Sequence, residues 1–215
     1  MNKSQPIKNK EKLDRFKNFY IEEEYNPRNY MFISLGLNTA LRVSDLLKFT
    51  WNDVYNFDND CFRTHVKLTE QKTTKQSVIF LNSRIINSLS WYKSEEIIKF
   101  SPDTFLFSND DNQHISRSTA YRIVHNAAVS CEIEGVISPH SLRKTFGYYA
   151  WKQGTSPVLL MDIYQHSSFE ITKRYLGIEQ DERDSVFRDV VYLMDETHYP
   201  LCFTIYGLVN LGTCS

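Results

Sequence analysis

The sequence predicts a mainly α-helical domain with one small antiparallel β-hairpin. Two observations lead to this prediction. Apolar side chains recur at helical spacing along most of the chain, whereas only residues 61–81 show the alternation that is typical of half-buried strands. No internal repeat or Gly/Ser-rich linker interrupts the 215 residues, a length that fits one large domain or a domain with a tail.

The first part of the chain predicts three helices. "KEKLDRFKNFYIEE" (10–23) places its apolar residues on one helical face. "NPRNYMFISLGLNTA" (26–40) should form a second helix, because Pro27 suits the first turn. After "LR", Ser44 is expected to cap a third helix, "DLLKFTW".

The next two segments predict the hairpin. "CFRTHVKL" (61–68) and "SVIFL" (77–81) have strand patterns, and the polar stretch "TEQKTTKQ" joins them. Almost all of the remaining chain has a helical pattern, which predicts helices over residues 83–99, 116–131, 139–153, 156–165, 168–176 and 180–195.

The composition indicates a packed, intracellular protein. Hydrophobic residues make up 41% of the chain and aromatic residues 14%, enough for a sizeable core. The four cysteines form no CxxC pair, which argues against a structural zinc site and a disulfide scaffold. The start "MNKSQPIKNKEK" is charged, and no apolar run approaches the roughly 20 residues of a membrane span. We therefore expect a cytoplasmic location.

The net charge of −1 by itself gives no sign of a polyanionic partner. The distribution is less even, because residues 1–18 and 63–84 are rich in lysine and arginine while acids collect in "EQDERD" near residue 180. A neutral total can hide a basic face. Ordinary solvated surface charge is the alternative interpretation.

The segment "SPHSLRK" places an imidazole and a guanidinium at the start of a predicted helix. Ser138 suits the N-cap and Pro139 the first helical position. His140 and Arg143 then project from one face of the first turn. Free backbone N–H groups and the helix dipole favour an anion there.

A second histidine lies nine residues before a tyrosine in "QHSSFEITKRYLG". In a continuous helix, His166 and Tyr175 would lie on opposite faces. Ser167 and Glu170 have capping-box spacing, so the helix should begin just after His166. That break would let both side chains approach one point.

Four segments occur in a characteristic order: "NTALRVSDLLKFTWNDV", "QKTTKQSVIFL", "HSLRKTF" and "HSSFEITKRYLG". Together they resemble the tyrosine recombinase (phage integrase) family, over about residues 10–190. The resemblance implies the family's catalytic-domain fold and an enzyme that cuts and rejoins double-stranded DNA through a phosphotyrosine, with no metal and no cofactor.

The resemblance also implies a role for each matching residue. Arg42 and Arg143 would grip the non-bridging oxygens of the scissile phosphate, and Tyr175 would be the nucleophile. Guanidinium groups suit this task because they match phosphate oxygens in shape and stay charged. A phenol, with a reference pKa of about 10, needs its proton removed or its anion stabilised.

Proton transfers would fall to the remaining candidates. His140 and His166 would assist by hydrogen bonding and proton transfer, and Lys72 would protonate the departing 5′ oxygen. Lys75 and Lys67 are the alternatives to Lys72, because they lie on the same predicted hairpin. The candidate DNA-contacting side chains are Arg42, Lys72, Lys75 and Arg143.

The expected layout is a basic N-terminal arm (1–10), a catalytic domain (11–197) and an apolar tail (198–215) that docks on this or another protomer. No separate N-terminal core-binding domain is expected, as in small fimbrial phase-variation invertases. Recombinases of this kind work as homo-oligomers, tetramers on paired DNA sites, and the free protein could be a monomer. The alternatives are a non-catalytic DNA-binding regulatory relative, a type IB topoisomerase and a purely structural helical protein.

Overall fold

The computed structural model describes residues 4–69, 76–95 and 99–178, together with residues 184, 185 and 187. The chain divides into two compact units, Met1–Ile178 and Glu179–Ser215, and every helix and strand given below belongs to the first. Lys72, Lys75, the tail 198–215 and most of the predicted helix 180–195 lie outside the described residues.

The described part of the chain is mostly helical, with two small antiparallel sheets, which confirms the predicted fold class. None of its helices combines the length and apolarity that a membrane crossing requires. In chain order, the elements are α1 (Lys10–Glu22), α2 (Pro27–Thr39), α3 (Val43–Leu46), α4 (Trp51–Val54), β1 (Tyr55–Asn56), β2 (Cys61–Phe62), β3 (His65–Thr69), β4 (Gln76–Phe80), α5 (Ser83–Ser94), α6 (Arg117–Ser130), α7 (Pro139–Lys152), α8 (Pro157–Tyr164) and α9 (Phe169–Leu176).

The predicted hairpin is present as β3 and β4, which pair antiparallel from His65↔Phe80 to Thr69↔Gln76. The predicted strand 61–68 is interrupted, because its two halves have different partners. β2 pairs with β1, whereas the Thr64 carbonyl already accepts a hydrogen bond from the Leu81 N–H at 2.9 Å. The alternating pattern continues across the break, so the sequence alone reads as one strand.

Two cap predictions were wrong by a residue or two. Arg42, not Ser44, is the N-cap of α3, and this helix ends after four residues. A new helix, α4, starts at Trp51, because Thr50 and Asp53 form a capping box with a 2.8 Å bond from the Thr50 N–H to the Asp53 carboxylate. At α9 the cap is Ser168, whose hydroxyl accepts from the Ile171 N–H at 3.3 Å. The helix predicted over 83–99 ends at Ser94.

The main core fills the space between α1, α2, α5, α6 and α7, and its members include Phe16, Phe32, Leu35 and Leu142. Gly36 lets α2 approach α7 closely, since a Cβ at this position would lie 2.6 Å from the Leu142 Cδ1 atom. This packing fixes the position of α7 relative to the end of α2.

A second group of apolar residues, which we call the small cluster, lies between α7, α8 and α9. Its buried members are Ala40, Tyr148, Leu160, Tyr164, Leu176 and Ile178. The candidate site lies where the main core and the small cluster meet.

Candidate active site

The N-terminal turn of α7 begins as the sequence predicts, with Ser138 as N-cap and Pro139 in the first turn. The Ser138 N–H donates to the Ser141 hydroxyl at 3.1 Å, which fixes the start of the helix. His140 and Arg143 follow on this turn. His140 is exposed, whereas Arg143 is only 5% exposed.

The Arg143 guanidinium is held by two contacts inside the protein. It donates a hydrogen bond to the Ala40 carbonyl, and its central carbon lies 4.5 Å from the centroid of the Tyr164 ring. A guanidinium that is buried, hydrogen-bonded and stacked on an aromatic ring has little freedom to turn. Arg143 is therefore prepositioned before any ligand arrives.

Ala40 ends α2 in the left-handed conformation, with φ at 54°. This turn directs its carbonyl to α7 and brings Arg42, the half-buried N-cap of α3, to the same region. The charge of Arg42 acts on Tyr175, His166 and His140. The turn at Ala40 thus provides the hydrogen-bond acceptor for Arg143 and also sets the position of Arg42.

The connection between α8 and α9 brings His166 and Tyr175 together. Gln165 ends α8 in the left-handed conformation, and α9 begins at Phe169, so the helix is broken between the two residues. Their ring centroids are 5.2 Å apart, at an interplanar angle of 71°. Both Arg143 and Tyr175 lie against the Tyr164 ring: the central carbon of the Arg143 guanidinium is 4.5 Å and the Tyr175 ring centroid 5.4 Å from its centroid.

Thr172 orients the His166 ring. Its hydroxyl lies 3.0 Å from His166 Nδ1 and itself donates to the Ser168 carbonyl at 3.3 Å. Because that proton is already used, we assign the Nδ1 proton as the donor to Thr172. The lone pair of a neutral imidazole is then on Nε2, where it can accept a proton.

The pocket shifts the pKa values of its phenol and imidazoles in opposite directions. Burial raises the pKa of Tyr175, although the hydrogen bond and charge of Arg143 and the charge of Arg42 oppose the rise. Burial, followed by the charges of Arg143 and Arg42, lowers the pKa of His166. At neutral pH the phenol therefore keeps its proton while His166 is a neutral base.

His140 stands in a strongly positive environment. The protein packed around its ring lowers its pKa, and the charges of Lys144, Arg143, Arg117 and Arg42 lower it further. Such a cluster of cations at a helix N-terminus favours an anionic ligand. In the described part of the chain, no group of His, Cys, Asp and Glu side chains could hold a metal ion.

Tyr164 is a site residue that the sequence reasoning missed. Its hydroxyl donates to the Arg143 carbonyl at 2.6 Å, and its ring centroid lies 5.4 Å from that of Tyr175. Gly147 makes room for it, since a Cβ there would lie 2.8 Å from Tyr164 Cζ. The sequence contains one hint of a large neighbour here: Gly147 lies one helical turn after Arg143 on the same face of α7 and leaves space beside it.

Five of the six predicted catalytic side chains come together in this pocket: Arg42, His140, Arg143, His166 and Tyr175. Lys72 cannot be placed, because it lies outside the described residues. Of its two alternatives, Lys75 also lies outside them, and Lys67 is exposed on β3.

Comparison with known proteins gives consistent results. The model of the Phage integrase family matches residues 9–182. The probable integrase/recombinase YoeC of Bacillus subtilis (strain 168) is 36% identical over 189 residues, which cover 86% of this chain and 95% of the relative. A tyrosine recombinase of Pseudothermotoga lettingae is 30% identical over 158 residues, covering 74% of this chain and 52% of the relative.

Among solved structures, XerA recombinase superposes with a TM-score of 0.67 at 17% identity, over 86% of this chain and 63% of XerA. At this identity the likeness concerns the fold, and it confirms the predicted catalytic-domain fold. The chain spans nearly the whole Bacillus relative but about half the length of the Pseudothermotoga relative.

Proposed function

The chain belongs to the phage integrase family, and we propose that it is a site-specific DNA recombinase that cleaves and rejoins strands through a 3′-phosphotyrosine at Tyr175. The observation that carries the proposal is the pairing of Tyr175 with Arg143. Both side chains lie against the Tyr164 ring, and the charge of the prepositioned Arg143 acts on the phenol, so the phenol is near the group that would bind the phosphate under attack.

Arg42 and Arg143 bind the two non-bridging oxygens of the scissile phosphate in this proposal. Negative charge collects on those oxygens in the transition state, and fixed cations stabilise it without reorganisation. The buried position of Arg143 and its contact with the Ala40 carbonyl support this assignment.

The Tyr175 oxygen attacks phosphorus, so that an O–P bond forms while the bond from phosphorus to the 5′ oxygen breaks. His166 takes the phenolic proton at Nε2, a role that is supported by its uncharged form at neutral pH and by the hydrogen bond of Nδ1 with Thr172. Lys72 gives a proton to the departing 5′ oxygen, and His140 donates a hydrogen bond to the phosphate. Rejoining reverses these steps, so the bond energy is kept without ATP.

The partner in this proposal is double-stranded DNA, which Arg42, Lys72, Lys75 and Arg143 contact. Relatives in the family are named recombinases and integrases, and the cations around His140 provide the charge that a phosphate backbone requires. We further propose a cytoplasmic protein that assembles as a tetramer on two DNA sites, with residues 1–10 as an arm, 11–197 as the catalytic domain and 198–215 as a docking tail.

Covalent capture tests the proposal directly. Covalent protein–DNA adducts are isolated under denaturing conditions from cells that express the chain, and the attached DNA is sequenced. A nicked duplex that carries this sequence then serves as a suicide substrate in vitro. We expect a covalent protein–DNA band for the wild type and none for Tyr175→Phe.

Tyr121→Phe is the matched control, because Tyr121 lies exposed on α6. It should form the adduct at the wild-type rate. Sequence-specific DNA binding with no adduct from the wild type would instead identify a non-catalytic regulatory relative and would refute the proposed activity.

A further inference from the structure

Residues 4–9, which we call the strap, precede α1 and run across the surface of α7 without helical or strand structure of their own. The strap is firmly attached. Ile7 is only 1% exposed and belongs to the main core, and the Gln5 N–H donates to the Val136 carbonyl at 3.2 Å. Its course is therefore set by packing and hydrogen bonds.

Three residues of α7 bind the strap along its backbone. The Ile7 N–H donates to the Thr145 hydroxyl at 2.9 Å, and the Tyr149 hydroxyl donates to the Lys8 carbonyl at 3.0 Å. The Lys144 ammonium, 7% exposed, donates to the Ser4 carbonyl. These contacts join the strap to the helix that carries His140 and Arg143.

The strap also contacts the end of α9. The Lys8 ammonium donates to the Gly177 carbonyl at 2.7 Å, and the Pro6 ring lies 3.7 Å from where a Cβ of Gly177 would be. Gly177 is the C-cap of α9, in the left-handed conformation with φ at 67°. A cation at this point stabilises the carbonyl end of the helix.

Both lysines act close to Tyr175. Gly177 follows it by two residues, and the Lys144 ammonium lies 4.9 Å from the centroid of the Tyr175 ring. α9 has eight residues, of which only Thr172 and Leu176 are buried. A helix this short depends on contacts with its surroundings for its position.

We propose that the strap is a positioning element for the nucleophile, and that Lys8 is a positioning residue that holds the end of α9 so that Tyr175 meets Arg143. Lys144, whose ammonium is bound to the Ser4 carbonyl, contacts the Tyr175 ring and supports it. The effect of the strap on catalysis rests on the function proposed above, whereas its role in holding α9 in place is independent of that function.

The test compares Lys8→Met, which keeps an apolar stem of similar length but removes the charged donor, with Lys8→Arg, which restores it. Lys12→Met is the matched control, because the Lys12 ammonium also donates to a backbone carbonyl, that of Glu132, but on a different part of the surface. Each full-length variant is measured by amide hydrogen exchange without DNA and by single-turnover cleavage of the suicide substrate.

In Lys8→Met we expect the amides of residues 171–178 to exchange about tenfold faster or more, while Lys8→Arg and Lys12→Met retain wild-type exchange. Cleavage by Lys8→Met should be slower by about tenfold or more, with the dissociation constant for DNA within about twofold of wild type, and Lys8→Arg should restore the rate.

The two proposals fail in different ways. Unchanged exchange at residues 171–178 in Lys8→Met overturns the role of the strap, whatever the cleavage assay gives. Faster exchange in a chain whose wild type forms no adduct supports the strap as an anchor of α9 and refutes the recombinase activity. Unchanged cleavage by Lys8→Met, in a wild type that cleaves, refutes the positioning of Tyr175.

Discussion

The main core and the small cluster both include residues of α7 and are built from different interactions. The main core packs large apolar side chains, such as Met31, Phe32 and Leu35, that are fully buried. The small cluster depends on tyrosines whose rings meet cations and whose hydroxyls bind backbone, as Tyr164 does with Arg143.

This difference separates the two tasks of the proposed site. Apolar packing fixes α7 against α2, and with it the arginine that would bind the phosphate. Tyr175 lies on a short helix that is held by directional hydrogen bonds and cation–aromatic contacts. Such contacts are individually weaker and can exchange partners, so the helix α9 has more freedom to move than the helix α7.

Arg143→Ala should have the largest effect, because Arg143 lies on the well-packed α7 and its charge acts on Tyr175 of α9. It would remove the ligand for the phosphate and the partner of the Tyr175 phenol at once. We expect single-turnover cleavage to fall by about 10³-fold or more, with a much smaller loss of DNA affinity.

Arg117→Ala is the control for this change. Arg117 is an exposed cation at the start of α6 whose charge reaches His140. This variant should cleave within about tenfold of wild type. An Arg143→Ala protein that cleaves normally would contradict the role of Arg143 as a phosphate ligand.

A pair of glycine substitutions compares the packing of the two regions. At Gly147 an added Cβ would lie 2.5 Å from Leu176 Cδ2 and 2.8 Å from the Tyr164 ring, so two walls of the small cluster would have to move. We expect Gly147→Ala to lower the free energy of unfolding by about 1–3 kcal/mol, measured by chemical denaturation.

Gly36→Ala should cost less. The nearest atom there is one terminal methyl group of Leu142, at 2.6 Å, which can rotate away. A gain of about 1 kcal/mol in helix propensity applies at both positions, so the difference between the two variants reports the packing strain. Equal losses for both variants would contradict the expectation that an added methyl group is accommodated less well at Gly147 than at Gly36.

The smallest expected effect is a loss of stability at mildly acidic pH. The pKa values of His140 and His166 are lowered in the folded protein, first by the protein packed around each ring and then by neighbouring cations. The unfolded chain therefore binds protons first as the pH falls below about 6.5, and the free energy of unfolding should decrease between pH 6.5 and 5.

His166→Gln should reduce this decrease, since it removes one of the two groups. His125→Gln, a change on the exposed face of α6, is the matched control and should leave the pH dependence as in the wild type. If the free energy of unfolding decreased equally with falling pH in His166→Gln and in the wild type, the site would not favour a neutral imidazole at His166.

Local features made most of the fold predictable. Ser138 and Pro139 marked the start of α7, and Pro27 marked that of α2, because capping and proline geometry act within one turn. The cap of α9 was displaced by one residue because Ser167 and Ser168 are adjacent and both can accept the same bond.

The supports of the site could not be predicted, because they join distant parts of the chain. The contacts of Arg143 with Ala40 and of Lys8 with Gly177 are separated by 103 and 169 residues. Nothing in the local pattern around Tyr164 distinguishes it from the other twelve of the 13 tyrosines. Side chains that carry chemistry are recognisable by type and order, whereas their neighbours depend on tertiary packing.

The left-handed turn at Ala40 means that main-chain geometry sets both the acceptor of the Arg143 guanidinium and the point at which Arg42 leaves the chain. A designer who grafted this arginine pair onto another helical scaffold would have to transfer residues 39–43 together with the first turn of α7 and keep their relative positions. At position 40, glycine would adopt the left-handed conformation easily. A β-branched residue would disfavour that conformation and so displace the two segments from each other.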